Sequence, residues 1–578
     1  MNGPRQRNAQ LGELERLVLI IAAITVLIGA FLYAWVGLAG GLFGAGWPHL
    51  TAAQLSRAIA RMPAHLGDPR RAFPRTIRWQ LPGPLGFYLA LAVLLVGVAV
   101  AVWLALRLWR QHRGPGGGKR TGARWARSGD LGRLRRGRSR QARAERSSEA
   151  SVRGLSLGYL GGRPLRAEHR HALVVFGPTQ SGKSAGIAIP NILEWAGPAI
   201  VVSIKPDLLD ATITARADRG DVLVYDPFEL WRGRSHTWSP LAGSHTWNAA
   251  LETAQRIATG GQTDTSTVKG GSFWSQAAEQ RLAPLLHVAR RSGRTMADLV
   301  SWVHGAGGAD LDRLMHELVD RSRDPHERAD AQHALDAHLA FQALAAETKG
   351  AIEGTAQILL SGYRSPTVVR SADGAQITGE RLLAGANTVY LISDARRSKL
   401  LRPILIALLS ELLDHAYETA NTSPGRRLPQ PLLVCLDELG NAVPLPNLAE
   451  IASTAASHNI QLISIFHDIA QARERYGQQA LTAINNHRAR MLLSGVADIE
   501  TLRYFSELVG DEEIKDRADP DAPIRRRPLA PADELRQIKP EHGLLIYGAL
   551  RPAMLKLRLY FNDRRLRQLA NRQQTKAA

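Results

Sequence analysis

Two uncharged apolar runs stand near the start of the chain, "LVLIIAAITVLIGAFLYAWVGLA" at 17–39 and "LGFYLALAVLLVGVAVAVWLAL" at 85–106. At 1.5 Å per residue, helices of these lengths cross a hydrocarbon core of roughly 30 Å, so the pattern predicts two transmembrane helices. A cleaved signal peptide competes for the first run, but the run is longer than a usual signal core. Beyond residue 150 the pattern changes to short apolar strands alternating with helices. "HALVVF", "PAIVVSI", "DVLVYDP", "ANTVYLISD", "PLLVCLDEL", "IQLISIF" and "ARMLLSG" read as strands buried on both faces, which predicts an α/β fold with a parallel, doubly wound sheet. The stretch 253–345 has helical spacing and almost no strand signal, so it reads as an inserted all-α domain. "RPAMLKLRLYF" alternates as a last strand and is followed by a basic polar tail at 563–578.

Charge orients these pieces. The formal net charge is +21, and residues 107–147 hold fourteen Lys/Arg against two acids, Asp130 and Glu145. Basic residues flanking a span stay on the cytoplasmic side, so Arg107, Arg110 and Arg113 put the C-terminal bulk there. Two spans then make the N-terminal segment 1–16 cytoplasmic and leave 40–84 outside, although that loop carries six arginines of its own. The expected location is the inner (cytoplasmic) membrane, in two passes, with 107–150 as a basic juxtamembrane linker that contacts anionic lipid in preference to DNA. The single cysteine, Cys435, rules out an intramolecular disulfide and lies in an apolar run where a buried spacer is expected.

The chemistry concentrates in Gly177-Pro178-Thr179-Gln180-Ser181-Gly182-Lys183-Ser184, a GxxxxGK[ST] loop between a predicted strand and helix. The glycines let backbone N–H groups turn toward phosphate oxygens, Lys183 brings charge to the β and γ phosphates, and Ser184 offers a hydroxyl to Mg²⁺. Hydrolysis also needs an acid for the metal and a base for the attacking water. "LLVCLDE" supplies Asp437 for the metal and Glu438 for the water, making Ser184 and Asp437 the expected metal pair. The parts 151–252 and 346–562 flanking the helical insertion are together read as one nucleotide-binding domain.

From about Gly122 to Phe561 the chain resembles the TraG/TraD-type coupling proteins of type IV secretion and conjugation. "TGARWARSGDL" is similar to the family's element after the second span. The block from "GYLGGRPLR" through "SIKPDLL" is similar to its phosphate-loop block, and "LDELGNAVPLPNLAEIASTAASHNIQLISIF" to its second acidic block. The resemblance implies a RecA-like P-loop NTPase that uses ATP with Mg²⁺, a homo-hexameric ring, and an insertion that meets substrates. The implied partners are single-stranded DNA with its relaxase or another secreted protein, and the secretion channel. Two positions depart from the family. The turn "AASHNIQ" lacks the usual Arg or Lys, and His467 ends a strand where a Gln usually senses the γ-phosphate. Imidazole can also donate a hydrogen bond, in a pH-dependent way, so His467 joins Lys183, Asp437 and Glu438 as a catalytic candidate.

Three functions remain open on these residues: a transfer motor, a nucleotide-switched docking receptor that recruits substrate, and an FtsK-type double-stranded DNA translocase. Against the last stand the absence of a C-terminal winged-helix pattern and an insertion that lies within the core. Arg488, Arg490 and Arg503 are candidate fingers toward a neighbouring subunit, with surface salt bridges the plainer reading of each. Lys205 and Asp207, after the second strand, suit either an ion pair or a place near the nucleotide. Phe273 and Trp274 read as core anchors at a helix start. His169, His171 and His415 show no metal spacing, so no zinc site is expected.

Overall fold

The computed structural model describes residues 29–112, 122–135, 154–261, 271–394, 396–440, 443–514 and 525–571. The predicted segments 1–16 and 17–28, most of the basic linker and the end of the tail lie outside these residues. The chain divides into two compact units, Met1–Arg120 and Thr121–Ala578.

In the first unit the described part of the first apolar run is helical over Gly29–Phe43. The second run forms one long helix, Pro84–His112, and its stretch Pro84–Ala101 is long and apolar enough to cross a membrane. The two helices meet where Trp35 donates its indole N–H to the carbonyl of Phe87 at 2.9 Å, with the rings edge to face 5.0 Å apart. Phe73, Ala72 and Ala58 from the connecting loop complete this small core.

Among the described residues the second unit holds thirteen strands: β1 (Ser156–Leu160), β2 (Arg163–Arg166), β3 (Leu173–Phe176), β4 (Ala199–Ser203), β5 (Val222–Tyr225), β6 (Thr388–Ile392), β7 (Leu432–Leu436), β8 (Ile460–Phe466), β9 (Ala489–Leu493), β10 (Asp511–Ile514), β11 (Arg525–Pro528), β12 (His542–Tyr547) and β13 (Ala553–Lys556). Eleven form one sheet in the order β2-β1-β13-β12-β9-β3-β8-β7-β4-β6-β5. From β9 to β5 the pairing is parallel, and β12, β13, β1 and β2 extend it as an antiparallel wing. Alternation explains the apolar strand composition. Val174 and Phe176 of β3 enter the core on one face while Leu173 and Val175 enter the core on the other.

Between β5 and β6 the described elements are helices, beginning at Trp247 and ending at Leu383. Local caps mark several of their starts. Thr295 and Asp298 form a reciprocal capping box, and Asp324 accepts from the N–H groups of His326 and Glu327. One expectation fails here. Phe273 is 60% exposed among the described residues and packs edge to face on Trp274 at 5.1 Å, so it is no core anchor. Cys435 is fully buried in β7, and burial pushes its thiol well above its ordinary range, as suits a spacer.

Burial of a charge tests the fold most severely. Arg216, with no exposed surface, has no carboxylate partner among its described contacts. Its guanidinium instead donates to the carbonyls of Trp195, Gly197 and Ala386 and to the Thr388 hydroxyl, tying the helix Asp207–Ala217 to the starts of β4 and β6. Replacing Arg216→Leu strands three carbonyls, so unfolding of the full chain in detergent should show a loss of about 3 kcal/mol or more. A pH effect follows from Glu411, whose carboxylate accepts from Trp238 Nε1 at 3.2 Å. Burial pushes it up to about 7 from 4.5, against an opposing pull from Arg256. A raised carboxyl contributes stability that is full below about pH 4.5 and is lost as pH rises through about 7. Glu411→Gln should therefore match the wild type in unfolding free energy near pH 4.5 and exceed it at pH 8, by up to about 3 kcal/mol.

Candidate functional site

Strand β3 ends at Phe176, and the chain turns through a loop whose backbone is tightly constrained. Gly177 N–H donates to Phe466 O at 3.0 Å, and a Cβ at Gly177 would lie 2.4 Å from Ser181 Oγ. Gln180 and Gly182 both adopt positive φ, 65° and 88°. At Gly182 a side chain would be strained and would press on Leu557, which explains glycine there. The helix that follows opens with a widened turn over Ser184–Ala188, in which Ile189 N–H bonds to Ser184 O. Pro190 has no N–H to give, which breaks the ordinary i→i−4 ladder at this point.

Two acids reach this loop from β7. Ser184 donates its hydroxyl to Asp437 Oδ2 at 2.9 Å, and Lys183 Nζ lies 3.6 Å from Glu438 Oε1. Backbone bonds pin the acids: Asp437 N–H to Val202 O and Leu439 N–H to Ile465 O, both at 3.0 Å. Between them Glu438 is held at φ 55°, a left-handed conformation that a non-glycine residue adopts only under constraint. Burial pushes the Asp437 carboxyl up to about 6, with Ser184 and Lys183 pulling it down.

These groups line a cavity of about 490 Å³ together with Thr179, Gln180, Ser181, Gly182 and Ser203. Lys205 and Asp207 line it too, and burial raises the Asp207 carboxyl. Gly177 and Pro178 shape the loop from behind, with Pro178 against Gly495. His467 lies outside the cavity lining. Burial, then the Lys183 charge, lowers its imidazole, leaving a neutral ring within electrostatic reach of Lys183 and Glu438. Arg490 caps carbonyls of Ile484 and Asn485, and Arg488, Arg490 and Arg503 are absent from the lining of their own subunit's cavity.

Ser494, Glu541, Leu559 and Phe561 also line the cavity and were not foreseen. Ser494 follows β9, and the other three arrive from the antiparallel wing, where Tyr560 N–H bonds to Ala185 O at 3.0 Å. Gln471 was missed as well. Its amide oxygen accepts from His467 N–H at 2.9 Å, and its side chain packs where a Cβ on Gly440 would be. A glutamine thus stands one helical turn past the strand end at which the family pattern has one.

Whether the residues suit a bound phosphate and cation can be judged from their unmet demands. Lys183 Nζ, Ser181 Oγ and Asp437 Oδ1 are buried without a hydrogen-bond partner. A donor cation, a hydroxyl and a carboxylate oxygen in one cavity match a phosphate with a divalent ion.

The family model described as type IV secretory system conjugative DNA transfer matches residues 124–578. The chain belongs to that family. Among curated proteins, Protein VirD4 of Agrobacterium fabrum is 22% identical over 507 residues, covering 84% of this chain and 71% of that protein. The conjugal transfer protein TraG of Escherichia coli is 25% identical over 376 residues, 61% of this chain and 56% of its own length. The unbound bacterial conjugative coupling protein TrwBdeltaN70 shares the fold with a TM-score of 0.56 at 18% identity, over 76% of this chain and 93% of that one. Plasmid coupling protein TrwB in complex with ADP and Mg²⁺ gives 0.54 at 18%, over 76% and 94%.

The Ser184–Asp437 contact generates a prediction. Asp437→Asn keeps an oxygen for the Ser184 hydroxyl but removes the charge. The variant should keep wild-type thermal stability without ligand, while Mg²⁺-dependent ATP affinity, measured by titration calorimetry, falls at least about tenfold.

Proposed function

We propose that this chain is a membrane-anchored, ATP-hydrolysing coupling protein that drives a substrate toward a type IV secretion channel. The substrate is single-stranded DNA with its attached relaxase, or a secreted protein. The observation that carries this reading is the Ser184 Oγ to Asp437 Oδ2 hydrogen bond, beside a buried Lys183 that lacks a hydrogen-bond partner. In the ATP-bound protein the loop N–H groups and Lys183 hold the β and γ phosphates, and Ser184 and Asp437 hold Mg²⁺. The metal supplies neutralisation of developing phosphate charge. Glu438, strained and level with Lys183, accepts the proton of the attacking water. His467, neutral at pH 7, is proposed as the hydrogen-bonding reporter of the γ-phosphate, with Gln471 fixing its backbone.

The same reading has two spans at 17–39 and 85–106, a nucleotide-binding domain formed from 151–252 and 346–562, an inserted domain at 253–345 that meets substrate, and a homo-hexameric ring. Its support is the family match together with the apolar helix Pro84–His112. A second reading, a docking receptor switched by nucleotide, draws on the turn Ala455–His458, which has no Arg or Lys.

Phosphate release by the full chain, with and without single-stranded DNA, separates the two. The motor reading expects turnover at least about tenfold above Lys183→Ala and Glu438→Gln, with Glu438→Gln still binding ATP. If the wild type turned over no faster than either variant under any DNA condition, the motor reading would be lost and the receptor would stand.

A further inference from the structure

The loop between the two apolar helices holds six arginines and one acid, Asp68. Short loops this basic are normally kept on the cytoplasmic side, so their presence between two spans calls for a use. Asp68 accounts for only part of the charge: its carboxylate lies 2.9 Å from Arg70 Nε and 3.1 Å from Arg71 Nε. Arg78 turns inward and donates to the carbonyls of Phe73 and Arg71. Arg57, Arg61 and Arg75 are exposed and make no ion pair among the described residues, where Asp68 is the single acid of 29–112. Arg57 and Arg61 stand four apart on the helix Ala52–Arg61 and so share a face.

The same loop exposes two large apolar side chains. Trp79 is 68% and Leu66 61% exposed. Tyr88 ties Leu66 to the start of the helix Pro84–His112, its hydroxyl donating to Leu66 O at 2.6 Å. On that helix Leu85, Leu89 and Val93 are exposed, so the loop joins an apolar helix surface at the Tyr88–Leu66 hydrogen bond. The segment is packed, with Phe73 and Ala72 buried against Phe87, so the arginines are presented by a formed element. A loop that exposes a tryptophan, a leucine and three arginines with no ion pair among the described residues, and that joins an apolar helix, matches the boundary between acyl chains and phosphate headgroups.

We propose that this loop is a headgroup-binding surface, with Trp79 and Leu66 seated at the acyl boundary and Arg57, Arg61 and Arg75 holding the phosphates of anionic lipid. Continuity with the apolar helix and the charge favour this occupant over an acidic protein. The inference rests on the membrane reading above, which has its own control: the full chain must stay in the membrane pellet after carbonate wash. Release by carbonate would remove the membrane reading itself.

The test uses full-length protein in nanodiscs of phosphatidylcholine with 20% phosphatidylglycerol, followed by detergent delipidation and counting of retained lipid by native mass spectrometry. The wild type should retain phosphatidylglycerol at least about fivefold over its share in the disc. The triple variant Arg57→Gln/Arg61→Gln/Arg75→Gln should lose at least half of that excess. A variant of the basic linker, Arg133→Gln/Arg135→Gln, reports any separate contribution from that side and should leave the loop's share in place. Unchanged phosphatidylglycerol retention in the triple variant, with the protein still in the pellet, overturns the proposal. A photo-reactive residue replacing Trp79 should give lipid adducts in cells, and a protein adduct as the main product overturns it as well.

Discussion

Strand β8 sets the geometry on which the rest of the second unit depends. It is paired in parallel with β3 on one side and β7 on the other, with Phe176 level with Phe466 and Leu436 level with Ser464. The phosphate loop and the acid pair leave the sheet from these neighbours, and the same strand receives Gly177 N–H and Leu439 N–H at its end. A shared ladder leaves little freedom for sliding, because a shift by one residue would exchange the faces of a strand buried on both sides and break both sets of bonds. Ser184 and Asp437, 253 positions apart in the chain, therefore meet at hydrogen-bond distance.

Two buried cations show how structure and function divide the cost of burying charge. Arg216 is satisfied by carbonyls and a hydroxyl, so its burial fastens a helix to the sheet. Lys183 is as deeply placed but has no hydrogen-bond acceptor, and its nearest acid is 3.6 Å away. A group left in that state is poised for an anionic ligand, since binding removes a penalty that folding imposed. The left-handed Glu438 beside it is of the same kind: strain is retained at the site and is held there by backbone bonds on both sides.

The antiparallel wing closes this site from the far end of the sequence. Arg558 bonds to Glu194 at 2.8 Å and Asp563 at 2.7 Å, and Tyr159 donates to Asp563 at 2.9 Å, so the last strand is locked to the first strand and to the helix after the phosphate loop. With the Arg558 guanidinium beside it, Asp563 stays ionised, lowered to about 2. This lock brings Leu559 and Phe561 against the loop. The segment after residue 121 is fixed in a similar way, Ala123 N–H bonding to Asp511 O and Ala126 N–H to Pro552 O.

The seven parallel strands were legible because each is a continuous apolar run buried on both faces, and the phosphate loop because its glycines and lysine follow local backbone demands. Asp437 and Glu438 were legible for the same reason, standing where an apolar strand stops. The wing was largely hidden. Strand β2 is half exposed, and the pairing that joins β1 to β13 sets Tyr159 opposite Lys556, hundreds of positions away, so Glu541, Leu559 and Phe561 gave no local sign of facing the cavity. Gln471 was hidden because a helix cap returns it to His467, and Phe273 was misread because an aromatic pair at a helix start looks alike whether covered or bare. The sequence by itself determined which elements form and which residues carry chemistry, since propensity, periodicity and loop conformation act over a few residues. Only the tertiary structure decided which of those residues meet, because strand order and register are set by packing between segments that no local pattern relates.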